Sequence, residues 1–164
     1  MMVRLTAALR DLYRDETELA AALLRVADRH GADPELHHGC HDLARWSEQH
    51  ATDLVEAGRR YGLGVSEPAG YGAGYGAAVD GAAADAVDPG LLLLADLRDL
   101  HRRSAGVVLD WDVVAQAAQA LRDRELLALA QASRTQAERQ LAWSKALVKA
   151  SAAQIMTSPP QDAS

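Results

Sequence analysis

Apolar residues recur along most of the chain at alternating steps of four and three. That spacing is the mark of amphipathic helices that share a bundle core. The first seam reads Leu5, Leu9, Leu12, Glu16, Leu19, Leu23, Val26 and His30. The second reads Leu36, Cys40, Leu43, Ser47, His50, Leu54, Ala57 and Tyr61. The third reads Leu93, Leu97, Leu100, Ser104, Val107, Trp111, Val114, Ala118 and Leu121. The fourth is the weakest: Leu126, Ala130, Ser133, Ala137, Gln140, Ser144, Leu147 and Ser151. A rotated register of that helix brings Glu138 and Leu141 inward instead.

Local signals punctuate these seams and predict helices over about 3–30, 34–61, 90–120 and 123–156. Gly31 supplies a stop. Asp33-Pro34-Glu35 then reads as an N-cap, a proline at the first helical position and an acid in the first turn. Gly62 and Gly64 end the second helix. Asp88-Pro89 repeats the cap signal, and Asp123 caps the fourth helix after a tight turn at Arg122. Residues 63–89 are rich in Gly and Ala, include Tyr71-Gly72-Ala73-Gly74-Tyr75-Gly76 and carry no sustained helical pattern. They read as a long loop. Residues 157–164, with Pro159-Pro160, read as a disordered tail.

The helices are each roughly 42–50 Å long at 1.5 Å per residue. The loop reaches about 90 Å when extended, ample to return along a whole helix. The short connections make each hairpin antiparallel. The fold expected is therefore all-α, a single four-helix domain over 1–156, with two antiparallel hairpins joined by a long crossover loop.

Composition agrees. The 164 residues are 49% hydrophobic, yet only 4% are aromatic and Phe is absent. A β-sandwich or barrel uses more β-branched and aromatic residues. The net charge of −6 argues against nucleic acid as a partner. The one cysteine, Cys40, cannot form a disulfide within the chain, which fits a reducing, cytoplasmic setting. Met1–Arg14 lacks the apolar stretch of a signal peptide. The longest apolar burst, Leu91–Ala95, falls far short of the roughly 20 residues of a membrane span. Walker, GxGxxG, GxSxG and HExxH motifs do not occur, and no residue is assigned a catalytic role.

The polar interruptions carry the chemistry. Counted from the turns, Glu16, Ser47 and His50 (with Glu48 beside them), Ser104 and Gln140 fall at about one depth. A buried Glu is expensive unless paired or hydrogen-bonded, and a shared polar layer supplies partners. Glu16 and His50 are the two inward candidates for metal ligands. Glu48 and Glu138 are weaker ones. A separate pair, His37 and His41, stands at i, i+4 on one helix face, a spacing that chelates Zn²⁺, Ni²⁺ or Cu²⁺. Trp46 and Trp143 lie beside their seams, as covers of the core edge or as subunit contacts.

These interruptions, with the segments DLYRDETELAAALLRVADRHGADPELHHGCHDLARWSEQHATDLVEAGRRYG and AQALRDRELLALAQAS, resemble the ferritin-like superfamily and, within it, the YciF-like group. The resemblance implies a ferritin-like bundle, a carboxylate-bridged iron or other divalent metal centre, a homodimer and an association with stress. Such centres use one Glu on each of two helices and Glu-x-x-His on each of the other two. Glu16 matches the first Glu. Ser47-x-x-His50 keeps the histidine but has Ser for Glu. Ser104 replaces the third-helix Glu, and Ala137-x-x-Gln140 (or Glu138-x-x-Leu141) replaces the second motif. The leading expectation is thus a ferritin-like protein with a degenerate metal centre, no cofactor and a non-catalytic binding, structural or stress-associated role. An iron- or manganese-dependent oxidase or ferroxidase and a helical oligomerisation module are the alternatives.

Overall fold

The computed structural model describes residues 2–64 and 88–159. They form four helices: α1 (Met2–Arg29), α2 (Pro34–Gly58), α3 (Pro89–Leu121) and α4 (Arg124–Thr157), with no strand among the described residues. The helix starts follow the cap signals. Asp33 accepts from the Leu36 N–H, Asp88 from the N–H groups of Gly90 and Leu91, and Asp123 from Leu126. Arg122 closes α3 in the left-handed conformation (φ 55°), which turns the chain into α4 without a glycine.

The second helix is shorter than its seam suggested. It ends at Gly58 and tightens into a 3-10 turn, Arg59–Tyr61. Gly62 then adopts φ 74°, and the Leu63 N–H returns to the Gly58 carbonyl. Leu63, expected at the start of the loop, instead folds into the core. A Cβ on Gly58 would lie 2.5 Å from Leu63 Cδ2, so glycine is what lets the chain close there. Residues 65–87, to which most of the predicted loop belongs, and 160–164 of the predicted tail lie outside the described residues.

Side-chain contacts fix the arrangement of the helices. Glu16 meets His50, and His37 reaches Ala27, so α1 and α2 are antiparallel. Trp111 meets Glu16 and Asp96 meets His30, so α1 and α3 are antiparallel too. His101 meets Ser144 across α3 and α4, and Ser47 meets Gln140 across α2 and α4. Each helix thus touches two neighbours in the cyclic order α1–α2–α4–α3. It follows that Gly64 stands at the bundle end that holds the start of α1, where Thr6 donates to the Tyr61 carbonyl. Asp88 stands at the opposite end, near the His30–Asp96 contact.

The core is made from the predicted seams: leucines of all four helices, Val26, Val107, Val114, Cys40 and many alanines. Helix α4 uses the first of its two registers. Leu126, Ala130, Ser133, Ala137, Gln140 and Ser144 are buried, while Glu138 is exposed and pairs with Arg134. Trp143 lies close enough to α2 that a Cβ on Gly39 would sit 2.9 Å from its ring. Trp46 and Trp143 both pack on the edge of the core. No helix of the described residues is long and apolar enough to cross a membrane.

Candidate functional site

Glu16 is fully buried at the middle of α1, and its Oε1 accepts two hydrogen bonds. One comes from His50 Nδ1 on α2 at 2.8 Å, the other from Trp111 Nε1 on α3 at 2.8 Å. On its far side, His50 Nε2 lies 2.7 Å from Gln136 Oε1 on α4. One residue from each helix therefore meets in a single network, buried at Glu16, His50 and Trp111 and half-buried at Gln136. The His50 and Trp111 rings also stand edge to face, centroids 5.7 Å apart.

The donor and acceptor inventory sets the charge of His50. A carboxylate oxygen and an amide oxygen both only accept. With the Gln136 amide in this orientation, both imidazole nitrogens must donate, and the ring is an imidazolium. Burial works against that form. The hydrogen bond to Glu16 and its charge, the bond to Gln136 and the field of Asp53 outweigh burial, so the His50 pKa is raised above 6.5. Stability linked to this proton is full below the unfolded-state pKa and is lost as pH rises through the higher folded-state value. Glu16 Oε2 remains without a hydrogen-bond partner among the described residues, as does Gln140 Oε1.

The polar interruptions do not lie at one depth, as counting from the turns had suggested. Ser47 and Gln140 form a second level, with Gln140 Nε2 donating to Ser47 Oγ at 2.9 Å and to the Leu43 carbonyl at 3.0 Å. Ser104 is buried, but seven residues separate it from Trp111, about 10 Å along α3. It is Trp111, not Ser104, that occupies the third-helix position facing Glu16. Among the weaker candidates, Glu48 and Glu138 are on the surface, Glu48 lining an outer groove of α1 and α2 with Tyr13 and Thr17. His37 and His41 are near the start of α2, on a different part of the bundle. Among the described residues, no group of three or more His, Cys, Asp or Glu side chains gathers where it could hold a metal ion.

Two further groups are tuned by their surroundings. Cys40 is buried, and desolvation, with the charge of Asp96 assisting, pushes its thiol pKa up to about 12. That suppresses the reactive thiolate. Next to the central network, Asp110 of α3 is hydrogen-bonded to Asp15 of α1 and rises to about 6. Burial is the largest cause, followed by the bond to and charge of Asp15 and the charge of Asp11; Arg14 opposes them.

No family model matches the chain, and neither a curated protein nor a solved structure matches it.

Two outcomes follow from this geometry. Glu16→Leu strands the His50 and Trp111 donors in the core, so it should cost about 3–5 kcal/mol. The double variant Glu16→Leu/His50→Leu should cost less than the sum of its parts; urea unfolding at pH 7 measures both, and an unperturbed Glu16→Leu would sink the assignment. Asp110 binds a proton more tightly folded than unfolded, so above pH 6 its charge opposes folding. Asp110→Asn should therefore stabilise the protein at pH 7.5 by about 1 kcal/mol, allowing for solvent screening. The gain should fade as pH falls toward 4, which thermal melts across that range will reveal.

Proposed function

We propose that this chain is a ferritin-like four-helix protein in which a hydrogen-bonded charge pair occupies the place of a metal centre, and that its role is non-catalytic. The observation that carries this reading is the donor set around Glu16. A carboxylate-bridged pair of cations requires several carboxylates at one point, and here the bundle centre offers one, with Trp111 of α3 facing it and Ser47 and Gln140 paired with each other on a second level. Trp111 Nε1 and His50 Nδ1 both direct protons at Oε1 of that carboxylate, which leaves Oε2 as the one oxygen of Glu16 without a partner among the described residues. His50 offers no lone pair when both its nitrogens donate, to Glu16 and Gln136. The residues present do not fit the centre.

The opposite placement of Gly64 and Asp88 supports the rest of the reading. A first hairpin that ends at one bundle end and a second that begins at the other suit a ferritin-like pair of hairpins. A homodimer and a stress-associated, cytoplasmic setting go with that resemblance. The oxidase or ferroxidase alternative rests on the same centre and is weakened by the same donor set.

Protein purified without chelators, reconstituted with Fe²⁺ or Mn²⁺ and passed through a desalting column should retain no iron or manganese by elemental analysis. Two equivalents per chain, lost in Glu16→Gln, would instead establish a metal centre at Glu16 and overturn this reading in favour of the oxidase alternative.

A further inference from the structure

His37, His38 and His41 open α2 and take no part in the buried network. His37 Nδ1 lies 3.0 Å from the Ala27 carbonyl oxygen in the last turns of α1. A carbonyl only accepts, so Nδ1 carries the proton, and in the neutral ring the lone pair belongs to Nε2. Histidines that bind metals are held in this way, with the second ring nitrogen donated to a carboxylate or a backbone carbonyl. His41 stands one helical turn further along the same face. Its ring centroid is 4.6 Å from that of His37, with the planes inclined at 66°. Two imidazoles bound side by side to one cation, each at about 2.0–2.1 Å, place their centroids about 4.5–5 Å apart.

We propose that His37 and His41 form a two-imidazole site for a late first-row divalent cation: Ni²⁺, Cu²⁺ or Zn²⁺. Imidazole nitrogen selects these ions over Mg²⁺ and Ca²⁺, which prefer oxygen. Water fills the remaining positions, because no group of three or more His, Cys, Asp or Glu side chains converges among the described residues. The site is therefore open and exchangeable. Both rings are only half-buried, so solvent ligands have access. His38 is exposed and lies on a neighbouring face, its ring 5.5 Å from His37 and inclined at 73°; it is not a ligand. The contact with Ala27 orients the His37 ring only in the folded chain, so folding assembles the site. Binding then raises the thermal stability of the folded chain. None of this depends on the Glu16–His50 centre.

The test is titration of the full chain with NiCl₂ at pH 7.5 by calorimetry, with MgCl₂ as control. One Ni²⁺ per chain is expected, with a rise in Tm and no response to Mg²⁺. His41→Ala, a surface change with no hydrogen bond to α1, should weaken binding by about tenfold or more. His37→Ala should do the same, and His38→Ala should leave affinity within about twofold. Nitrogen-15 spectra of the histidine rings give an independent reading: His37 should be protonated at Nδ1, and its Nε2 resonance should move on addition of Zn²⁺. Wild-type affinity in His41→Ala, an equal loss in His38→Ala, a Nε2–H tautomer at His37, or no Ni²⁺ binding would each overturn the proposal.

Discussion

One carboxylate oxygen holds the middle of this bundle together. Glu16 Oε1 accepts from α2 through His50 and from α3 through Trp111, and His50 passes the connection to α4 through Gln136. Glu16 is 0% exposed and His50 2%, so both charges have lost their water. A buried pair of this kind seldom adds net stability compared with apolar residues of the same shape, whereas breaking it is costly. Its effect here is to select an arrangement. A rotation of α1 or a slip of α2 by one turn would leave a carboxylate and an imidazolium without partners. The apolar seams alone, rich in interchangeable Leu and Ala, distinguish poorly between such registers.

The rest of the core is built to let that network close. Alanine and serine fill the seams where helices approach, and the large residue at the centre, Trp111, satisfies its N–H on Glu16 instead of leaving it bare. At the bundle ends, tight contacts replace bulk. Trp143 rests on Gly39, Leu63 folds over Gly58, and Ile155 meets Gly90. Aspartate caps start α2, α3 and α4, and Asp123 further accepts from the Tyr61 hydroxyl, tying the end of the first hairpin to the start of α4. A chain without phenylalanine thus reaches full burial by close approach of small residues at some contacts and one well-placed ring at the centre.

Much of the fold was legible because it is written in local chemistry. The seam spacing gave the buried face of every helix, and three Asp caps gave three helix starts to within a residue or two. The end of α2 was not legible, because it depends on Leu63 packing back on Gly58, a contact across a turn rather than a pattern along a helix. In the centre, Glu16 and His50 stood out as polar residues on apolar seams, and they do meet. Trp111 passed as an ordinary core residue, since its seam position says nothing of its N–H. Gln136 lies beside the fourth seam and gave no signal of its own. Counting residues from the turns placed Ser104 opposite Glu16. The antiparallel packing of α1 on α3 places Trp111 there, two turns away. Depth within a bundle is set by how helices slide past one another, which periodicity does not encode.

The protonation of His50 joins these strands. It decides whether the central group is one half of a charge pair, with both nitrogens donating, or a neutral imidazole with a lone pair to offer a cation. Nitrogen-15 NMR of the His50 ring across pH 5.5–8.5, with and without added Fe²⁺ surrogates such as Zn²⁺, tests this most directly. Two protonated nitrogens are expected at pH 6.5, with titration above the ordinary histidine value and no response to the metal. A neutral ring at pH 6.5, or a His50 nitrogen that shifts when the metal is added, would contradict it.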